Sequence, residues 1–174
     1  HTTLAALVAE ELDVSFNEIK VKHGPASELY ANEVLHGRRP YPGRVHRNPA
    51  HATGGQSSIR DGYLKMRQAG AAARIMLLEA AAARLGVGIE TLSTEKGSVK
   101  AGSGATIPYT ELAQEAALFE PPDSPPLKQP SEWTLLGKSQ PRVDMLSKCI
   151  GTAEYTLDVD LPGLLYATVK RNPH

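Results

Sequence analysis

A short run rich in glycine and hydroxyl groups stands directly before the most helix-prone stretch of the chain. It reads Thr-Gly-Gly-Gln-Ser-Ser over residues 53–58. Adjacent glycines allow backbone conformations that other residues rarely adopt, and serine hydroxyls beside a helix N-terminus can bind an anion such as a phosphate. Ser58 and Asp61 also have the spacing of a capping box, which needs no ligand. Spacing alone therefore predicts either an anion-binding loop or a well-capped buried helix, and both interpretations stay open.

The other chemistry-bearing residues form no recognisable catalytic or metal-binding set. The loop before the helix lacks the Gly-Lys-Ser/Thr of a Walker sequence, and Gly102-Ser103-Gly104 lacks the third glycine of a dinucleotide-binding fingerprint. None of the six histidines occurs in a His-Glu-x-x-His pattern, so spacing does not support a zinc site. No general base or nucleophile can be identified from spacing alone.

Four arginines and four of the six histidines lie in an irregular segment between residues 23 and 53. Pairs of proline and glycine interrupt this segment, and a loop of such length usually lines a site or contacts a partner. The arginines indicate either a solvated loop or one that meets a phosphate or a partner subunit. They are Arg38, Arg39, Arg44 and Arg47.

Length and charge limit the classes of protein to which the chain can belong. It has 174 residues and a mass of 18.7 kDa, enough for one ordinary domain or two small ones. Lys and Arg number 19, as do Asp and Glu, so the chain lacks the positive charge that binds a nucleic-acid backbone. No apolar run approaches the ~20 residues that span a bilayer. We therefore expect neither a nucleic-acid partner nor a membrane span, and the lone Cys149 excludes a cysteine-rich metal site.

Hydrophobic periodicity predicts helices and short strands, an α+β fold. Helices are expected over residues 2–12, 61–85 and 110–118. A hairpin is expected over residues 92–105 with its tip at Lys96-Gly97, and Gly86 is expected to end the long helix. Further short strands are expected at residues 19–22, 134–136, 153–157 and 164–169.

A proline-rich segment interrupts these elements. Residues 120–130 hold five prolines in eleven positions, a composition that predicts extended chain and the clearest domain boundary. The chain begins at His1 and stops directly after a strand-like run, and we interpret it as a piece of a longer protein.

Three stretches, in consistent order, resemble one family. Residues 53–82 match a Thr-Gly-Gly-Ser-Ser-Ser-x-Arg-Asp…Arg-x-Ala-Gly-Ala-Ala-Ala-Arg signature. Residues 7–26 resemble the stretch that follows a Gly-Gln-Gly motif in the same proteins, and residues 135–173 resemble their Gly-Lys-Pro-x-Pro-Arg-x-Asp…Leu-Pro-Gly-x-Leu-Tyr-Ala segment. The chain thus resembles the isoquinoline 1-oxidoreductase beta subunit, the molybdopterin-binding subunit of xanthine oxidase-type molybdenum hydroxylases.

The resemblance implies two incomplete domains. Residues 1–120 would be a segment of a molybdopterin-binding domain, made of helices with a small mixed sheet. Residues 121–132 would be a Pro-rich linker, and residues 133–174 the start of an α/β-hammerhead domain. Gly70 and the alanines around it would pack against the surrounding domain.

The resemblance also implies a cofactor and its ligands. The glycine- and serine-rich loop contacts molybdopterin cytosine dinucleotide, which carries molybdenum, in proteins of this family. Carried onto matching positions, the ligands are Thr53, Gly54, Gly55, Gln56, Ser57 and Ser58. Gln56 departs from the serine usual at its position.

The implied reaction is hydroxylation of an N-heterocycle or an aldehyde with oxygen from water. The family's catalytic glutamate would lie beyond residue 174, and its iron–sulfur clusters lie on a separate small subunit. We therefore expect no catalytic residue in this chain, no activity from it alone, and as partners the iron–sulfur subunit and the rest of the large subunit. Two alternatives are a non-catalytic α+β interaction module that docks a partner chain and a free-standing nucleotide-phosphate binder.

Overall fold

The computed structural model describes residues 1–25, 27–36 and 54–172. The chain divides into two compact units, His1–Pro141 and Arg142–His174. In the first unit the longer elements are α1 (Thr2–Leu12), α2 (Glu33–His36), α3 (Ser57–Leu85), β1 (Leu92–Glu95), β2 (Ser98–Ala101), β3 (Thr106–Pro108) and α4 (Tyr109–Ala116). The second unit contains α5 (Met145–Cys149).

Helices α1 and α3 pack closely through small residues. A Cβ atom built on Gly70 would lie 2.7 Å from the Val8 carbonyl oxygen, so only glycine lets the two backbones approach this far. Ala9 and Ala71 are fully buried in the same contact region. The predicted α1 and the long helix are confirmed, although α3 begins at Ser57 rather than at residue 61. Gly86 ends α3 with a φ of 66°, as predicted.

A small antiparallel sheet packs against the C-terminal half of α3. Its strand order is β1-β2-β3, and both neighbouring pairs are antiparallel. The predicted hairpin is confirmed, with Lys96 and Gly97 both at positive φ in its turn. The predicted mixed sheet is wrong for the described residues, because short connections join the strands and force neighbours to run in opposite directions. The core here comprises Leu77, Ala80, Ala81, Val99, Ile107, Leu112 and Ala116.

The other predicted strands are absent from the described residues. Residues 19–22 are irregular, and residues 134–136 form a bend whose N–H groups converge on one side chain, an arrangement that a strand ladder cannot provide. In the second unit, residues 153–157 include part of a single 3₁₀ turn, and residues 164–169 are irregular and exposed, with no described strand beside them. An apolar alternating run predicts a strand only if a neighbour supplies the hydrogen bonds.

The proline-rich segment contains neither helix nor strand up to residue 129, as its composition predicts, and it belongs to the first compact unit. Lys128 in this segment is buried against α1 and α3 rather than solvated. Among the described helices, none is long and apolar enough to cross a membrane.

Candidate functional site

A tight turn of glycine, glutamine and serine residues starts helix α3. Gly55 and Gln56 have φ values of 53° and 62°, the left-handed region that glycine adopts most readily. The Ser57 N–H donates to the Gly54 carbonyl oxygen at 2.9 Å, and the Ser57 hydroxyl donates to the same oxygen at 2.6 Å. These two bonds fix the turn from its buried side, because Ser57 is only 2% exposed.

The predicted capping box is wrong. Ser57 and Ser58 both lie inside the helix, and the N-cap residue is Gln56, whose side chain makes no capping hydrogen bond. Asp61, the expected partner of Ser58, serves a different helix. Its Oδ1 atom accepts the Glu33 N–H at 2.8 Å, at the start of α2.

Helix α2 is thereby joined to the first turn of α3 at two points. The Asn32 side-chain amide donates to the Ser57 hydroxyl oxygen at 3.0 Å, and the Glu33 N–H donates to Asp61. Lys65 adds a charge at the same place, with Nζ 3.0 Å from Asp61 Oδ1 and 3.4 Å from Glu33 Oε2. Asn32 is buried and the Glu33 side chain is 71% exposed, so the junction runs from the interior to the surface.

The charges at this junction reinforce one another. Burial alone would raise the pKa of Asp61, but hydrogen bonds from Lys65 and from the Glu33 N–H outweigh it and hold the pKa below the ordinary value of 3.8. Burial would lower the pKa of Lys65, and the Asp61 carboxylate outweighs that effect and raises it. Both groups are therefore charged at neutral pH.

No described residue covers the outer face of the turn. Cβ atoms built on Gly54 and Gly55 would meet no atom of the described residues within 4 Å, and both glycines and Gln56 are exposed. The N–H groups of Ser58 and Ile59 lie in the first turn of α3, where a helix has no internal acceptor for them. A groove of about 390 Å³ lies beside the start of α3, and of the turn residues only Ser58 lines it. Its lining includes Leu4, Tyr30, Asn32, Ser58, Ile59 and Met66.

The structure brings five of the six predicted cofactor ligands to one place. Gly54, Gly55, Gln56, Ser57 and Ser58 form the turn and the first helical positions. Thr53 lies outside the described residues, as do the four arginines of the preceding segment. Within the five, only Ser57 is buried and committed to internal hydrogen bonds. The pattern of residues did not reveal the roles of Asn32 and Asp61.

We call residues 126–136 the strap. A second cluster of buried charged residues joins the strap to α1 and α3. Arg67 donates from Nε to Glu11 Oε1 at 2.8 Å and from Nη2 to the Lys128 carbonyl oxygen at 2.6 Å. The other carboxylate oxygen of Glu11 accepts the Lys128 N–H at 3.1 Å. The Lys128 ammonium in turn donates to Asp13. This cluster pairs its charges internally, which makes it a structural clamp for the strap.

Glu10, completely buried, holds the end of the strap. Its carboxylate accepts the N–H groups of Thr134, Leu135 and Leu136 at 2.7 to 3.0 Å, and the Thr134 hydroxyl at 3.2 Å. Lys128 Nζ lies 3.6 Å from the same carboxylate. Burial would raise the pKa of Glu10, but the backbone hydrogen bonds together with the Lys128 charge outweigh it, and the pKa lies below its ordinary value.

Neither site contains an evident metal centre. In the three described ranges, no group of three or more His, Cys, Asp or Glu side chains is placed to hold a metal ion. Cys149 is exposed in the second unit. The chemistry that these residues offer is therefore anion binding at the start of α3 and structural clamping at the strap.

No protein-family model matches the chain, but individual relatives do. The beta subunit of isoquinoline 1-oxidoreductase from Brevundimonas diminuta is 31% identical in an alignment 209 residues long, which covers 99% of this chain. The predicted resemblance is confirmed. A nicotinate dehydrogenase subunit from Pseudomonas putida is 34% identical over 174 residues, again 99% of this chain. A membrane-bound aldehyde dehydrogenase (pyrroloquinoline-quinone) from Gluconacetobacter polyoxogenes is 26% identical over 178 residues, also covering 99%.

The chain spans a quarter or less of the length of these curated relatives. It covers 25% of the isoquinoline 1-oxidoreductase subunit, 13% of the nicotinate dehydrogenase subunit and 21% of the aldehyde dehydrogenase. The similarity extends over almost all of this chain, including both the α3 turn and the strap.

Proposed function

We propose that this chain is part of the large subunit of a molybdenum hydroxylase and that it supplies one wall of the cofactor site. In this proposal residues 1–120 belong to the molybdopterin-binding domain, residues 121–132 form the linker and residues 133–174 begin the α/β-hammerhead domain. The observation that carries the proposal is the open turn at Gly54 and Gly55 before a 29-residue helix. The similarity to two oxidoreductase subunits supports it.

The turn fits the anionic part of molybdopterin cytosine dinucleotide. Gly54, Gly55 and Gln56 are exposed, and the first turn of α3 presents N–H groups and the positive end of the helix dipole. We assign the diphosphate to these N–H groups and to the Ser58 hydroxyl, with Thr53 as a further ligand. Ser57 shapes the turn from its buried side, because its hydroxyl already donates to Gly54.

The bound cofactor supplies the molybdenum centre at which an N-heterocycle or an aldehyde is oxidised with water-derived oxygen. The residues of this chain bind and orient its dinucleotide end and provide no catalytic acid or base. The iron–sulfur small subunit and the remainder of the large subunit complete the enzyme in this proposal. The chain alone is then inactive.

A titration with cytidine 5′-diphosphate tests the assignment at the turn. We expect the amide signals of Gly54, Gly55 and Ser58 to shift in an NMR titration of the ¹⁵N-labelled chain. A Gly55→Val variant should abolish these shifts, because valine strongly disfavours a φ of 53°. The control is Ser93→Ala on β1, where the side chain is exposed and distant from the turn in sequence. The absence of shifts at Gly54, Gly55 and Ser58 at the highest ligand concentration would contradict the proposal.

The name of the aldehyde dehydrogenase relative includes a different cofactor, pyrroloquinoline quinone. The titration is therefore repeated with this compound. This quinone is also an anion, because it carries carboxylates, and it would compete for the same N–H groups. Preferential binding of the cytidine diphosphate supports a dinucleotide cofactor. Preferential binding of the quinone would contradict the molybdopterin assignment.

The complete protein, produced with its partner in a molybdopterin-competent host, should also contain molybdenum and pterin by elemental and fluorescence analysis.

A further inference from the structure

We propose that Asp61 is a positioning residue for the anion-binding turn, acting through α2, Asn32 and Ser57. The proposal rests on the proposed function, because it concerns the same turn. It assigns to Asp61 a role in setting the direction of the Gly54 carbonyl group and hence of the neighbouring N–H groups.

The first step is the attachment of α2. Asp61 Oδ1 accepts the Glu33 N–H at 2.8 Å and the Lys65 ammonium at 3.0 Å. A four-residue helix such as α2 is not stable by propensity alone, so its placement depends on such contacts. The side chain of Asp61 is 13% exposed, which limits competition from water for these hydrogen bonds.

The second step passes from α2 to the turn. Asn32 immediately precedes Glu33, and its amide Nδ2 donates to the Ser57 hydroxyl oxygen at 3.0 Å. A hydroxyl group has one proton to donate. With the Asn32 amide as its donor, the Ser57 hydroxyl directs that proton to the Gly54 carbonyl oxygen at 2.6 Å.

The third step concerns the turn itself. Ser57 is joined to Gly54 by two bonds, one from its N–H and one from its hydroxyl. Gly55 and Gln56 lie between them in the left-handed region. Loss of the hydroxyl bond leaves a single bond to hold two residues in a conformation that is costly for Gln56. Asp61 therefore preorganises the turn through Asn32 and Ser57.

Hydrogen exchange measured by NMR tests this role in the full chain. We expect Asp61→Ala to raise the exchange rate of the Ser57 N–H about five- to tenfold, the change that loss of one hydrogen bond produces. The Leu77 N–H in the middle of α3 should be unaffected, because the change is local. Asp61→Asn should restore most of the protection, since its carbonyl oxygen can still accept the Glu33 N–H. The control is Asp123→Ala, an exposed carboxylate on the Pro-rich segment.

Several results would overturn the inference. They are unchanged exchange at Ser57 in Asp61→Ala, equal acceleration at Ser57 and Leu77, and failure of Asp61→Asn to restore protection. If Asp61→Ala does not fold, Asn32→Ala decides the matter, because it interrupts the same path after α2. In that variant, an unchanged Ser57 exchange rate would overturn the proposal.

The cytidine 5′-diphosphate titration separates this inference from the proposed function. If the wild-type chain binds the probe, we expect Asp61→Ala to weaken its affinity several-fold and Asp61→Asn to retain it. If the wild-type chain does not bind the probe, the proposed function fails, whereas the exchange rates still decide whether Asp61 positions the turn.

Discussion

Glu11 on α1 and Arg67 on α3 form an ion pair that is almost completely removed from water. Arg67 Nη2 lies 2.7 Å from Glu11 Oε1, and the two side chains are 0% and 8% exposed for Glu11 and Arg67, respectively. The Arg67 guanidinium also lies 5.5 Å from the ring centroid of Tyr63 and 5.6 Å from that of Trp133. The pair therefore connects the helix that carries the candidate site to the strap.

Removal of one partner of this pair should destabilise the first unit strongly. We expect Glu11→Ala to lower the free energy of unfolding by about 3–5 kcal/mol, because it leaves the Arg67 charge buried without its counter-ion. Urea unfolding followed by circular dichroism measures the change. Glu11→Leu combined with Arg67→Met should be less destabilising than Glu11→Ala, because it removes the buried Arg67 charge together with its partner and leaves only Arg74, whose Nη2 lies 3.8 Å from Glu11, without that carboxylate. A double variant as unstable as the sum of its single variants would contradict this explanation.

Even glutamine, the amide of glutamate, should not replace Glu10 without a loss of stability. Glutamine would place an NH₂ group where Oε1 accepts the Thr134 N–H at 2.9 Å, and two donors would then face each other. It would also remove the negative charge that faces the other strap N–H groups and Lys128. We expect Glu10→Gln to lower the free energy of unfolding by about 1.5–3 kcal/mol, the range for hydrogen bonds to a charged group. Glu18→Gln provides the matched control, because Glu18 is exposed. Equal unfolding midpoints for the two variants would refute the role given to Glu10.

Acid should weaken the first unit through Glu10. The pKa of Glu10 in the folded chain lies below the ordinary value of 4.5, so the unfolded chain binds a proton more readily. The resulting stabilisation is fully present above the unfolded value of 4.5 and is lost as the pH falls through the lower folded pKa. Unfolding free energies measured across this acid range should fall less steeply in Glu10→Gln than in the wild type. Identical slopes would show that other carboxylates cause the loss.

A bulky residue at Gly70 should separate α1 from α3. A Cβ atom there would lie 2.7 Å from the Val8 carbonyl oxygen and 2.9 Å from Glu11 Cβ, neither of which is a flexible side-chain end. We expect Gly70→Leu to lower the unfolding free energy by about 1–3 kcal/mol or more through overpacking. Ala83→Leu, at an exposed position of the same helix, is the control for helix propensity. Equal melting temperatures in the two variants would contradict the close contact.

The regular elements with strong local signals could be predicted from the sequence. Helices α1, α3 and α4 show helical periodicity or strong helix formers, and the β1–β2 hairpin has its Lys96-Gly97 turn. The predicted start of α3 is four residues late, because Ser57 and Ser58 are weaker helix formers than most of the residues that follow. Asp61 instead contacts α2, 28 positions away, and no local pattern contains that information.

The strap could not be predicted for a similar reason. Residues 134–136 look like a strand because a β-branched threonine precedes two leucines, yet their N–H groups bind Glu10, 124 to 126 positions earlier. Lys128 and Glu11, separated by 117 positions, look like ordinary surface charges in the sequence. Tertiary pairing of distant charges overrides local propensity at these points. The residue pattern indicates where the candidate site lies, whereas the parts that hold it in place leave no local signal.

The Glu10 contacts also have a consequence for variants that lack the side chain. In Glu10→Ala, the N–H groups of Thr134, Leu135 and Leu136 would surround a space once filled by a carboxylate, with Lys128 beside it. That space is a receptor for small carboxylates, and formate or acetate should restore part of the lost melting temperature in a saturable manner. Chloride at equal ionic strength should not. The Glu10 side chain thus fills a carboxylate-binding site, and in Glu10→Ala a free carboxylate would bind there in its place.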